Sequence, residues 1–283
     1  MPMLETTDGV QLFYRDWCKL EGAARASAET LVFVAGQSLP SDVWSYNIPF
    51  FTDLGMRCVA FDRRGHGRSD APSRGYDIDT LARDVASVLG RLDLRDVTLV
   101  GHSLGGAEVV RYLSRYSEPA RVARAVLIAP TLPRMLSGED YPHGFPPSAV
   151  HSICAGWRAD FARWIDDNKR AFFAPETSNA LVDWGARLMD SLPLYIQLEI
   201  ANTTASLDLR EDLARCDRPT LLIHGDLDRS VPIELALDSI ARLSNVRFER
   251  YRDAAHGVFI THSERVHQDM LEFIRTTARG EAA

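Results

Sequence analysis

Short runs of apolar residues recur along the chain, with longer mixed stretches between them. The runs are Leu31-Val32-Phe33-Val34, Cys58-Val59-Ala60-Phe61, Val97-Thr98-Leu99-Val100, Ala125-Val126-Leu127-Ile128 and Thr220-Leu221-Leu222-Ile223. Runs of this length without polar alternation predict strands buried on both faces, as in a parallel sheet. Val246 to Tyr251 alternates instead and predicts a sixth strand. In the intervening stretches Leu81, Val85, Val88, Leu89 and Leu92 recur at helical spacing, as do Val109, Leu113 and Tyr116. Strand and helix signals in alternation predict an α/β fold, with a mostly parallel central sheet and helices on both faces. Near the start, Asp8-Gly9 between two short alternating runs predicts a hairpin. Residues 22 to 28, small and polar, are expected to form a surface loop.

The rhythm breaks after Pro130. Pro133, Pro142, Pro146 and Pro147 open a stretch of helical patterns, and no strong strand run returns before Thr220. The expected organisation is a core domain of residues 1–130 and 208–283, interrupted by a helical cap of residues 131–207. Such an insertion would lie over the carboxyl ends of the strands, where open α/β sheets bind ligands. It holds Trp157, Trp164 and Trp184, three of the five tryptophans, together with Phe145, Phe161, Phe172 and Phe173.

Composition narrows the classes. The formal net charge is -7 over 283 residues, and the arginines are scattered among acids. That balance excludes nucleic acid as the main partner, since phosphate backbones call for clustered Lys and Arg. No apolar run reaches bilayer length, so no membrane is expected. The start lacks a basic segment followed by an apolar one, so no secretory signal is expected either. Cys18, Cys58, Cys154 and Cys216 are far apart and form no C-x-x-C, which reads as reduced packing thiols. A cytoplasmic protein acting on a small molecule is the expectation. Assembly into a homo-oligomer is compatible with such a chain.

Candidate chemistry lies where a predicted strand runs into "VGHSLGG". Gly101-His102-Ser103-Leu104-Gly105 fits G-x-S-x-G between a strand and a helical pattern. In so tight a turn the central residue is strained, and side chains at the flanking glycines would clash with the neighbouring elements. The Ser103 hydroxyl would then project above the sheet, and the Leu104 N–H at the helix start would face developing negative charge. A dinucleotide site would need Gly where Ser103 stands, and a phosphate loop would need a following G-K-[ST].

A serine hydroxyl needs a base and an acid that orients it. After the strand at Leu221 comes His224-Gly225-Asp226-Leu227-Asp228. After the strand at Phe248 comes Asp253-Ala254-Ala255-His256. Both loops fall on the same sheet edge as Ser103, in the order nucleophile, acid, base. From the residues alone either Asp226 or Asp228 could be the acid. His256 is the candidate base; His66, His102 and His224 are expected to play supporting roles. His143, His151, His262 and His267 have no motif around them.

The segments "DWCKLEG", "FDRRGHGRSD", "LVGHSLGG", "LIHGDLDRSVPIE" and "DAAHGVFITH" together resemble the α/β-hydrolases, and among them the cofactor-free haloperoxidase and arylesterase-like group. The resemblance spans nearly the whole chain. It implies the α/β-hydrolase fold, Asp228 as the acid, and neither cofactor nor metal. It departs from the family at Ala35-Gly36-Gln37-Ser38, where His-Gly is usual after the first buried strand. The second oxyanion donor implied is the Gln37 backbone N–H, which the change leaves in place, while the side chain that braces the loop is lost. A perhydrolase-like member often has Pro where Ser38 stands.

The function so implied is cleavage of a small, largely apolar ester or lactone, or an activated amide, through an acyl-enzyme. The alternatives on the same fold are a C–C bond hydrolase and a cofactor-independent oxygenase or perhydrolase. A receptor that binds without turnover is the alternative of another class. Candidate substrate-contacting residues are Trp44, Phe145, Trp157, Phe161, Trp164 and Trp184, in a pocket expected to carry few charged groups.

Overall fold

The computed structural model describes residues 1–279; residues 280–283 of the expected core domain lie outside the described residues. Eight strands form one sheet: β1 (Met3–Glu5), β2 (Gln11–Trp17), β3 (Thr30–Val34), β4 (Arg57–Phe61), β5 (Val97–His102), β6 (Val122–Ile128), β7 (Thr220–Gly225) and β8 (Val246–Tyr251). Their order is β1-β2-β4-β3-β5-β6-β7-β8. The hairpin at Asp8-Gly9 pairs Leu4 with Leu12, antiparallel. β2 joins β4 antiparallel, and every pair from β4 to β8 is parallel.

The apolar runs are continuous because both faces of the sheet are covered. Val32, Val34, Leu99, Leu127 and Leu222 point to one side, and Leu31, Phe33, Val100, Ile128 and Ile223 to the other. β8 alternates because it is an edge strand whose residues are mostly half-exposed.

Residues 22 to 28 are not a plain loop: they contain a short helix, α1 (Gly22–Ala26), none of whose residues is buried. Its Ala-Ala-Arg-Ala run is made of strong helix formers, which favour a helical turn over an open loop there. Next come α2 (Ile48–Asp53), α3 (Ile78–Arg91) and α4 (Leu104–Arg115). The Asp77 carboxylate starts α3 by accepting the Thr80 N–H at 2.9 Å. Helices α3 and α4 cover the first face through Leu81, Val85 and Val110.

Between β6 and β7 run α5 (Pro147–Asn168), α6 (Asn179–Asp190) and α7 (Leu194–Ser206). Helix α5 is two segments meeting at Asp160, whose backbone is extended and whose carboxylate caps the second by accepting the Arg163 N–H at 2.9 Å. Helix α7 reaches into the sheet core through Ile196 and Ile200. The short α8 (Arg210–Arg215) leads from these helices into β7, and α9 (Ile233–Ile240), α10 (Val258–Thr261) and α11 (Ser263–Arg279) follow. Val266, Met270 and Phe273 of α11 pack the second face. Among the described residues no helix is long and apolar enough to cross a membrane.

Candidate active site

Ser103 stands between the end of β5 and the start of α4 with φ 53° and ψ -121°. A non-glycine residue so placed costs roughly 1–3 kcal/mol, which the surroundings must impose. They do so by closeness. A Cβ on Gly101 would lie 2.5 Å from the Gly105 carbonyl oxygen, and one on Gly105 would lie 2.3 Å from that of Val34. Only glycine lets β3, β5 and α4 converge there. The Ser103 N–H is held by the Ile128 carbonyl at 3.0 Å, and its own carbonyl accepts the Thr131 N–H at 3.0 Å. Its hydroxyl pairs with Thr131 Oγ1 at 3.2 Å.

Asp228 and His256 meet in a buried contact, Nδ1 to Oδ2 at 2.7 Å. The other carboxylate oxygen of Asp228 accepts the Ser230 and Val231 N–H groups, each at 2.8 Å. Burial pushes the Asp228 carboxyl up, but the His256 ring, His224 and the Val231 N–H together hold it below the usual carboxylate value. Asp226 turns outward to Arg250, at 2.6 Å. The sequence left two aspartates open; the structure puts Asp228 against His256 and sends Asp226 to the surface.

Two further histidines, both buried, flank this pair. His102 donates from Nε2 to the His256 carbonyl at 3.2 Å. His224 donates from Nε2 to the Val231 carbonyl at 2.8 Å and lies 3.5 Å from Asp228 Oδ2. Burial, then the neighbouring His256, holds His102 well below the ordinary histidine value, and burial lowers His224 also. His66 accepts no charge either: burial and Arg63 lower it to about 3.

The loop after β3 lies against the elbow, since a Cβ on Gly36 would come within 3.0 Å of Ser103 Cβ. Among the described residues, no acceptor takes the Gln37 or the Leu104 N–H. Ser38 has φ 65°, a conformation closed to proline, and its hydroxyl donates to Gln197 Oε1 of α7 at 2.7 Å.

A cavity of about 510 Å³ opens above Ser103. Gln37, His102, Ser103, Thr131 and His256 form its floor, and the helices between β6 and β7 form its walls. Of the aromatics singled out in the sequence, Phe145, Trp157 and Trp164 line it. Trp44 does not. It is 1% exposed and packs in the core, 5.0 Å from the Phe33 ring and 4.6 Å from the Phe259 ring. Phe161 packs with Trp157 between α5 and α7, and Trp184 packs edge-on against Tyr46, so neither reaches the cavity.

Sequence reasoning missed Thr131, Gln197 and the reach of Phe172, whose ring sits edge-on to His102 and His256 at 5.9 and 5.5 Å. Thr131 could have been sought just past the strand neighbouring the elbow; nothing marked out Gln197. The walls are also less uniformly apolar than expected, because Lys169 and Arg229 stand in them. Lys169 is neutralised by Asp166 at 2.7 Å and Asp183 at 2.8 Å. Among the described residues no group of three or more His, Cys, Asp or Glu side chains is disposed to hold a metal ion.

Sheet order, elbow and loop positions define an α/β hydrolase. The family model of the alpha/beta hydrolase fold matches residues 29–263, and the chain belongs to that family. Within it, the chain resembles the non-heme haloperoxidase group. It is 37% identical over 285 aligned positions to a non-heme chloroperoxidase of Streptomyces lividans, covering 98% of this chain and 100% of that one. It is 33% identical over 285 positions to a bifunctional esterase/perhydrolase of Acinetobacter calcoaceticus, again covering 98% and 100%. An esterase from Exiguobacterium antarcticum superposes with a TM-score of 0.90 at 26% identity, over 96% of this chain and 98% of that one.

Proposed function

We infer that the protein is a carboxylic ester hydrolase that works through an acyl-enzyme on Ser103. The observation that carries this reading is the strained Ser103, opening on one cavity with a His256 held by Asp228 at 2.7 Å. With Nδ1–H committed to Asp228, Nε2 is the free lone pair of His256. The Ser103 hydroxyl leaves Thr131 and gives its proton to Nε2 while Oγ bonds the substrate carbonyl carbon. The oxygen of that carbonyl becomes the oxyanion and takes the unengaged Gln37 and Leu104 N–H groups, with the start of α4 favouring its charge. Collapse breaks the ester C–O bond, and the alcohol leaves with the proton from His256. Water repeats the sequence on the acyl-enzyme, giving the acid and free Ser103.

In this reading residues 131–207 are a cap domain on a core of 1–130 and 208–283. Met135, Phe145, Ile153, Trp157 and Trp164 favour a largely apolar acyl or alkoxy group. Perhydrolysis, with peroxide in place of water, is the second reading, favoured by the esterase/perhydrolase relative. Ser38, at a φ that proline cannot adopt, argues for water.

The test is a panel of p-nitrophenyl esters assayed with wild type and Ser103→Ala. Turnover that falls by on the order of 10⁴ in the variant is expected. A folded variant keeping most of its activity would remove Ser103 from the mechanism.

A further inference from the structure

The loop that precedes Gln37 is gripped from beneath by a buried ion pair that the scheme above does not use. Arg63 follows β4, Glu108 lies in α4, and both are buried, 3% and 0% exposed. Arg63 donates from Nε to Glu108 Oε1 at 2.5 Å, from Nη2 to the Ala35 carbonyl at 2.5 Å and from Nη1 to the Gly36 carbonyl at 3.1 Å. All three guanidinium nitrogens are therefore engaged, two of them on the residues immediately before Gln37. Stability alone does not call for this pair, since well-packed apolar side chains often replace a buried ion pair without loss. Direction does. In a trans peptide the carbonyl and the next N–H point to opposite sides, so anchoring the Gly36 oxygen, which Arg63 shares with the Leu39 N–H at 3.3 Å, fixes where the Gln37 N–H points. A cation on that carbonyl also polarises the amide and strengthens the N–H as a donor.

We propose that Arg63, itself held by Glu108, is the positioning residue of the oxyanion hole, aiming the Gln37 N–H into the cavity by drawing the Gly36 carbonyl away from it. The proposal rests on the ester-hydrolase reading. It accounts for a loop that works with Ala35 in place of the bracing side chain: the brace comes from under the loop instead of from within it. The far flank is held independently, by the Ser38 hydroxyl on Gln197.

Two variants test it. Arg63→Lys keeps the charge beside Glu108 but loses the planar fork that reaches two carbonyls. Arg63→Met/Glu108→Leu removes both charges together, so that no lone carboxylate is left buried. The readouts are kcat and KM on a p-nitrophenyl ester and the Kd of phenylboronic acid, which forms a tetrahedral anionic adduct on an active serine. Deleting one oxyanion donor costs about 10²–10³ in rate. The expected loss in kcat is ~10-fold for Arg63→Lys and ~10²-fold for the double variant, with boronate affinity falling in parallel and KM within ~3-fold. Two results would overturn the proposal: kcat retained within ~3-fold by a double variant of native circular dichroism, or equal losses in kcat and in ground-state affinity, which would make the pair mere packing. Ser103→Ala is run alongside. If it alone abolishes turnover, the hydrolase reading survives and the Arg63 proposal fails; if it changes nothing, both fall.

Discussion

Replacing Asp228 by Asn separates orientation from folding, because the two oxygens of Asp228 have different partners. One accepts the Ser230 and Val231 N–H groups, each at 2.8 Å, and the other accepts His256 Nδ1–H at 2.7 Å. An Asn must keep its single oxygen on the two backbone donors, since its NH₂ cannot accept from them. The NH₂ group then faces His256 Nδ1 and can pair with it only if that nitrogen gives up its proton. The proton moves to Nε2, on the side of Ser103, and the base loses the lone pair it needs. The turn survives, so the fold should too. Activity should fall by about 10⁴, or about 5.4 kcal/mol of transition-state stabilisation, the loss expected when the base is locked in the wrong tautomer. Asp226→Asn removes only a pair with Arg250 on the surface, worth at most ~1 kcal/mol of stability, and should leave kcat/KM within about twofold. Ester hydrolysis under kcat/KM conditions, with thermal melts on the same samples, measures both. An Asp228→Asn enzyme within tenfold of wild type, or an Asp226→Asn enzyme equally impaired, would refute the assignment of the acid.

Two other outcomes follow from the cavity and the buried histidines. Across acetate, butyrate and hexanoate esters, kcat/KM should rise by up to ~4-fold per methylene, equivalent to ~0.8 kcal/mol, until the 510 Å³ cavity is full; a strict preference for acetate would refute an apolar acyl site. Acid should destabilise the fold early, because His66 is lowered to about 3, His267 to about 4, and His102 and His224 are lowered too, in each case chiefly by burial. The unfolded chain takes up protons near the reference value of about 6.5 that the native state refuses, so this stability is complete above that pH and lost as pH falls towards the folded values. Each histidine contributes a slope of about 1.4 kcal/mol per pH unit in that window. Glu108, raised by burial against the pull of Arg63, works in the opposite sense. Urea melts between pH 7 and 5 check this, and a flat midpoint would refute it.

The parallel sheet and the elbow were legible in the sequence because their causes are local. A strand covered on both faces must be apolar at every position, and a turn that brings Gly105 against the Val34 carbonyl admits no Cβ whatever the rest of the chain does. The candidate nucleophile, base and acid loop stand at strand ends, and strand ends show in the hydrophobic pattern. Only the tertiary structure could turn Asp228 towards His256 and Asp226 towards Arg250, since two carboxylates in one short loop look alike until distant partners select between them. The same holds for the tryptophans. A large apolar ring such as that of Trp44, Trp157 or Trp184 seeks burial, but whether it is buried in the core, between helices or in a cavity wall depends on what packs opposite. Arg63 is the extreme case. As a residue type it reads as surface, and its role comes from Gly36, 27 residues before it, and Glu108, 45 residues after it. Burying a cation is tolerable only when such partners are already in place, and no local pattern records that they are.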